Sequence, residues 1–444
     1  TALQGARIGM AGNGRGPTCP ARLARALTLV LAFAPLAAPS ATASLCRDNA
    51  GSLSAVRGPC HTGTTAAHVA GANIFDQLWV GSSGMSTCCN ATGGPATYAD
   101  AWAALQSAHS AGVRVFRFFA SLFGANQAFW LKEPATFWAE FDRLVDDIER
   151  LGMVAIPSLG TGMWHEVANA AHPGLNESAN DGIVDFNSTA FKLNQEYFAQ
   201  VVTRYAGRRG ILAWELGNEL NLMVNLPPPW CGAAPCFNTS AMVRYETALV
   251  DIIHAKDPGR PISSGHSAPR SSAWHQEHCG AKNADPTQCS GGYWGLDTQE
   301  QWLDMLAQQS DAVDIVSIHH YAAPSGIPPC EFSPAGKLVP GATCGWNASA
   351  ISLFAEAVAK QGKMLYVGEY GGAGPDFTGP SPANQSFDRD VLDIQVADAK
   401  AGGVFALSTI WAWACPSHRA DMVCIWPESA RPKETGSDRM VADI

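Results

Sequence analysis

Eight short runs of apolar and β-branched residues, separated by longer stretches of helical periodicity, constrain this chain more than any other feature. The runs fall at 72–80, 113–119, 153–158, 211–216, 261–264, 313–319, 363–368 and 403–410, and helical patterns occupy 98–111, 136–151, 188–206, 240–255, 299–309, 349–361 and 386–401. Parallel strands need a long crossover, usually a helix, so strict alternation of this kind predicts a parallel α/β fold. Some boundaries carry their own signals: residues 140–151 place apolar groups at helical spacing, and Gly152 follows as a stop. The tail 431–444 shows no clear eighth helix.

The connections are asymmetric. From helix to strand they are short, as at Leu151-Gly152 and Ala401-Gly402, whereas from strand to helix they are long, at 159–187, 217–239, 265–298 and 320–348. In a closed (β/α)8 barrel, the TIM barrel, the strand-to-helix loops build the functional face. An open doubly wound sheet shares the alternation, but no glycine-rich phosphate loop follows the first strand. The expected fold is therefore α/β: one (β/α)8 TIM barrel over 44–444, with long strand-to-helix loops braced by disulfides.

Composition agrees with a large folded unit, at 47% hydrophobic and 15% charged residues. A formal net charge of −10 argues against nucleic acid or an anionic membrane as a partner. Residues 1–43 read as an upstream segment and signal peptide. Arg22 and Arg25 precede an apolar stretch over 26–38, and Ala41-Thr42-Ala43 offers a small-residue cleavage site. That stretch is too short and too Pro-broken for a membrane span, so a secreted monomer without stable membrane association is expected. Of the 13 Cys, Cys19 lies upstream of the cut, and the remaining twelve fall as neighbours: Cys46/Cys60, Cys88/Cys89, Cys231/Cys236, Cys279/Cys289, Cys330/Cys344 and Cys415/Cys424. In an oxidising compartment this pattern favours disulfides. A vicinal bridge strains the geometry, so Cys88 and Cys89 are expected to pair with Cys46 and Cys60. Six Asn-x-Ser/Thr sequons, at Asn90, Asn176, Asn187, Asn238, Asn347 and Asn384, fit the same secretory route.

A barrel carries its catalytic groups at the C-terminal ends of its strands. The fourth run ends Trp214-Glu215-Leu216-Gly217-Asn218-Glu219 and the seventh ends Tyr366-Val367-Gly368-Glu369-Tyr370, so each delivers a carboxylate to the mouth. A single such Glu is usually a solvated loop charge. Two in matching positions, three strands apart around a ring, are the pair that glycosidic cleavage requires: an acid for the leaving oxygen and a carboxylate across the anomeric carbon.

The segments AWELGNELN and MLYVGEYGG resemble the acid/base and nucleophile strands of clan A glycoside hydrolases, most closely family five, the cellulase and β-mannanase family. The resemblance covers 72–413. It implies retention by double displacement, with Glu219 as acid/base and Glu369 as nucleophile, about 5–5.5 Å apart. It implies that Asn218 bonds the sugar 2-hydroxyl, that Arg117 keeps Glu369 ionised, that Tyr321 hydrogen-bonds the nucleophile, and that His319 contacts the sugar or the acid/base. Arg114 competes with Arg117. The resemblance further implies that Trp411 or Trp413, the former favoured, floors the subsite where the bond breaks. Trp164 resembles a mannanase-type arrangement, and His165 is a candidate for the His that many members place after strand three. Trp230, Trp294 and Trp346 are further candidate platforms, since flat aromatics suit the apolar faces of sugars.

His319-His320 and His275-x-x-His278-Cys279 invite a metal reading, but neither supplies a third and fourth ligand at zinc spacing. No metal or cofactor is expected. Glu219 is expected to rest protonated, raised by its neighbour's charge, with Glu369 ionised. The substrate implied is a polysaccharide or oligosaccharide, cleaved as by an endo-β-1,4-mannanase or β-1,4-glucanase. The alternatives are an exo-acting β-glucosidase-like or glycosylceramidase-like enzyme of the same clan and a non-catalytic carbohydrate-binding barrel.

Overall fold

The computed structural model describes residues 43–411 apart from 75–77, 79–97, 123, 161–162, 228–230, 232–234, 280–284, 286, 322–328, 331–344, 347 and 372–381. Eight parallel strands close into a barrel in chain order. They are β1 (Val69–Asn73), β2 (Val115–Phe119), β3 (Val154–Ser158), β4 (Trp214–Glu215), β5 (Ile262–Ser263), β6 (Ile315–Tyr321), β7 (Met364–Gly371) and β8 (Phe405–Ile410). The intervening helices are α1 (Tyr98–Ser110), α2 (Pro134–Arg150), α3 (Thr189–Tyr205), α4 (Thr239–Lys256), α5 (Gln299–Gln309), α6 (Ala350–Lys360) and α7 (Pro382–Lys400). The expected TIM barrel is thus the fold. β1 starts earlier than its apolar run suggests, because its pairing with β8 begins at Val69.

Local chemistry fixes these elements. Ser188 caps α3 by accepting from the Phe191 amide at 3.1 Å, and Thr298 with Gln301 forms a reciprocal capping box on α5. Gly152 ends α2 at φ 66°, a conformation that residues with a Cβ resist. Side chains alternate between barrel and helix sides along each strand. Phe116, Phe118, Ile318, Leu365 and Val367 join Phe137, Tyr197, Leu249 and Ile351 of the helices in the main core. Val69, Val115, Val154, Ile315 and Met364, at the strand beginnings, form a second cluster with Leu407 at the barrel floor.

That floor is closed by a three-stranded antiparallel sheet, Ala43–Asp48, Leu53–Arg57 and Thr64–Ala66, which contributes Ala43, Leu45 and Ala55 to the cluster. Arg57 Nε donates to Asp314 Oδ1 at 3.1 Å, tying the sheet to the chain just before β6. Cys46 pairs with Cys60, correcting the expected linkage to Cys88 and Cys89. The hairpin returns Cys60 to a Cα separation of 5.7 Å from Cys46, within the span of a disulfide. The expected bridges Cys231–Cys236 and Cys279–Cys289 are present in the β4–α4 and β5–α5 loops. Cys88, Cys89 and the expected pairs Cys330/Cys344 and Cys415/Cys424 lie outside the described side chains. No described helix is long and apolar enough to cross a membrane.

Candidate active site

Arg117 lies inside the barrel on β2, with no exposed surface. Its inward direction follows from alternation with Phe116 and Phe118, which face the helices. All three guanidinium nitrogens donate. Nε reaches Glu215 Oε1 at 2.7 Å, Nη1 reaches Glu369 Oε1 at 2.6 Å and Asn73 Oδ1 at 3.1 Å, and Nη2 reaches Asn218 Oδ1 at 2.7 Å. Burial by itself disfavours the cation; Glu215 and Glu369 outweigh it and hold the proton more tightly than usual. Arg114, the competing candidate, is exposed on the strand's approach and donates to His109 O.

Glu369 owes its direction to a bulge. Tyr366 points into the barrel and bonds Thr409 of the neighbouring β8, and strict alternation would turn residue 369 toward the helices. The β6–β7 register shifts between Val367 and Glu369, and this returns the Glu369 side chain to the barrel. Gly368 makes the shift possible, since a Cβ there would stand 2.8 Å from Ser317 Oγ and 3.0 Å from His319 Nε2. In the new register Glu369 lies opposite His319. Tyr321 donates its hydroxyl to Glu369 Oε2 at 2.5 Å.

Glu219 follows β4 at φ 54°, ψ 31°, the left-handed region, which costs a non-glycine residue roughly 1–2 kcal/mol. Its Oε1 is 2.9 Å from His319 Nδ1, which also lies 3.5 Å from Glu369 Oε1. Ligating atoms of Glu219, His319 and Glu369 all fall within 4.8 Å of one another. His319 Nε2 is buried without a partner among the described residues. An unpaired ring nitrogen costs less as an acceptor than as an N–H, so the proton belongs on Nδ1, between the two carboxyls. This leaves Oε2 of Glu219 to carry an acid proton.

Burial raises Glu219 above the ordinary carboxyl range, against the pull of Arg117. The cause is therefore desolvation rather than the neighbour's charge expected from the sequence. Burial also raises Glu369, opposed by His319, Arg117 and the Tyr321 hydroxyl. Glu369 alone takes direct bonds from Arg117 and Tyr321, so of the two it ionises first. His319 is pushed down to about 4 by burial and stays neutral. Asn218 spends its oxygen on Arg117, which leaves Nδ2 as the group it can offer a ligand.

Trp411 stands just beyond β8, 7% exposed, with its ring 6.3 Å from Phe119. Trp164 does not meet its expectation as a sugar platform. It is 3% exposed and packed edge-on against Trp130 and close to Tyr197, because it opens the helix Trp164–Ala171 facing the core. Trp294 is 60% exposed on the β5–α5 loop, in edge contact with Tyr293. Trp230, Trp413 and the Trp346 side chain lie outside the described residues. His165 is half-buried and joins none of these groups.

The residues behind the metal readings have local partners. His320 faces Phe354 and Phe387, away from His319; His275 bonds Asp297 at 2.7 Å; Cys279 is in a disulfide. Glu219, His319 and Glu369 are the one described cluster close enough to hold a cation, but Arg117 already occupies Glu369 with positive charge.

Two members of the site were not foreseen, Glu215 and Asn73. Both are wholly buried on inward positions of β4 and β1. The available signal was an acidic residue within an apolar strand, which demands a buried partner.

The sequence profile described as Cellulase (glycosyl hydrolase family 5) matches residues 72–401. No curated protein sequence matches this chain significantly. Among solved structures, the endo-β-1,4-mannanase from Thermotoga petrophila is 16% identical with a TM-score of 0.53, covering 85% of this chain and 76% of its own. The glycoside hydrolase family 5 mannosidase from Rhizomucor miehei is 14% identical with a TM-score of 0.53, over 86% and 94% of the two chains. The endo-1,4-β-mannanase from the same fungus is 15% identical with a TM-score of 0.52, over 82% and 92%. At such identities the likeness carries the fold.

Proposed function

The chain belongs to glycosyl hydrolase family 5, the cellulase family, and from that premise we propose that it is a retaining hydrolase of a β-1,4-linked mannan or glucan. The observation that supports the mechanism is the convergence of Glu219 and Glu369, one carboxylate oxygen of each lying within 4.8 Å of the other; retaining chemistry needs its carboxyls close, about 5–5.5 Å apart, and inverting chemistry a wider gap for its water.

In the first step Glu369 attacks the anomeric carbon while Glu219 Oε2 gives its proton to the departing glycosidic oxygen, and a glycosyl ester forms on Glu369. In the second, ionised Glu219 takes a proton from water as that water's oxygen attacks the anomeric carbon, freeing Glu369. Arg117 and Tyr321 grip the attacking carboxylate, and His319 bridges the pair. The fold neighbours are named for mannosides, which makes β-mannan the first substrate to test. Export belongs to the same reading, supported by disulfides that persist in an oxidising compartment.

The test is hydrolysis of mannan, β-glucan and their oligosaccharides, following the first anomer released by NMR. Glu369→Ala and Glu219→Gln are expected to lower turnover by about 10²–10⁴-fold or more. Near-normal activity in either, or initial release of the inverted anomer, would overturn the reading. Internal cuts in a labelled oligosaccharide identify endo action.

A further inference from the structure

Glu219 and Asn225 are the two non-glycine residues with positive φ among the described residues, at 54° and 58°. They bracket one short turn, Leu220–Met223. The loop that follows β5 grips this turn from outside. Arg270 Nη1 donates to Leu222 O at 2.5 Å and its Nη2 donates to Val224 O. Asn221 exchanges two bonds with Ser267, Nδ2 to the carbonyl at 2.8 Å and the Ser267 amide to Oδ1 at 3.0 Å, and also reaches Gln309 Oε1 at 3.1 Å. Glu277 Oε2 takes Asn225 Nδ2 at 2.5 Å and the Thr239 amide at 3.1 Å. The Glu219 amide itself donates to Gly265 O at 2.8 Å. At Gly265 the two loops touch backbone to backbone: an added Cβ would fall 1.8 Å from Gly217 O.

We propose that Arg270, with Asn221, is a positioning residue for the acid/base: it holds the turn that keeps Glu219 in its left-handed backbone conformation with Oε2 facing the leaving group. This rests on Glu219 being the acid/base. The physical case is one of geometry. A left-handed glutamate relaxes to negative φ unless its surroundings over-determine it, and that rotation swings the Cβ and the carboxyl with it. Arg270 supplies a charge-assisted donor to two carbonyls of the turn at once, which a shorter or single-headed side chain cannot do. It touches neither carboxylate. A displacement of an ångström at a reacting group costs on the order of 10²-fold in rate.

Proton donation is what such a displacement would lose, and leaving groups report it. The experiment measures kcat/KM for wild type, Glu219→Gln, Arg270→Ala, Arg270→Lys and Asn221→Ala. The probes are phenyl and 2,4-dinitrophenyl β-mannobiosides and β-cellobiosides, the dinitrophenolate leaving without help from an acid. Arg270→Ala is expected to lose ~10²-fold on the phenyl glycoside and less than about five-fold on the dinitrophenyl glycoside. Arg270→Lys, able to serve one carbonyl, should fall between it and wild type, and Asn221→Ala should show the same selectivity. If Arg270→Ala does not fold, Asn221→Ala and Arg270→Lys decide. Equal losses on both substrates, or none, overturn the proposal while Glu219→Gln still discriminates. If Glu219→Gln itself fails to discriminate, the acid/base assignment is wrong and the clamp falls with it.

Discussion

Arg117 and Glu215 meet at 2.7 Å with neither side chain exposed to solvent. The same guanidinium sends a second donor to Glu369 at 2.6 Å, so one planar group ties a carboxylate in the barrel's interior to the one at its mouth. Glu215 thereby fixes the group that aims the nucleophile of the proposed mechanism.

Glu215→Ala leaves a buried Nε–H and half of a buried ion pair without its partner. A loss of about 3 kcal/mol of stability is expected, visible as a lower denaturant midpoint. Turnover measured well below the transition should fall as well, because Arg117 then has one anchor fewer. An unchanged midpoint would contradict the arrangement.

Tyr321→Phe removes a single hydroxyl from Glu369 Oε2. Burial keeps that phenol protonated far above its usual range, so it acts as a donor throughout an assay. A hydrogen bond to a charged group is worth about 1.5–3 kcal/mol, which corresponds to roughly 10- to 150-fold in kcat, with KM little changed. Steady-state kinetics on one glycan decide it.

His319 makes stability depend on pH. Its pKa in the fold lies at about 4, below the ordinary 6.5, so between those values the unfolded chain binds more protons. The stability it contributes is complete above about 6.5 and is lost as pH falls through about 4, at most roughly 3 kcal/mol. Glu219, whose pKa is raised, acts in the opposite sense, its contribution fading as pH rises. Urea unfolding at stepped pH should show a slope in the His319 window that His319→Gln flattens.

The pH–rate profile should be bell-shaped, with Glu369 setting the acid limb and Glu219 the basic limb. Because burial raises Glu219, the basic limb should sit above the ordinary carboxyl range. It should vanish in Glu219→Gln, assayed on a dinitrophenyl glycoside that needs no proton. A basic limb that survives assigns it to another group.

Leu45, 2% exposed, packs the N-terminal sheet into the barrel floor. Leu45→Ala should cost about 2–5 kcal/mol, while Arg57→Ala, which removes a partly exposed ion pair with Asp314, should cost about 1 kcal/mol or less. Thermal melts of the two variants give the comparison.

Alternation of runs and helices made the barrel legible, and two carboxylates after matching strands marked the candidate site, because both depend on spacing that a linear reading preserves. What escaped depends on exceptions to spacing. Glu369 reaches the barrel interior through a bulge at Gly368 that period-two alternation would deny. Glu215 and Asn73 matter through partners distant in sequence. Trp164 followed strand three as anticipated, but the helix it opens turns its ring into the core. The floor sheet was missed because its strands, ASLCRD, LSAVR and TTA, are short and only partly apolar.

Glu219 occupies a backbone conformation that suits glycine better than glutamate. Under the proposed mechanism, replacing it by glycine would abolish proton transfer and relieve the turn in one stroke. Folding alone gives no reason for a glutamate at this turn; the proposed proton transfer supplies one.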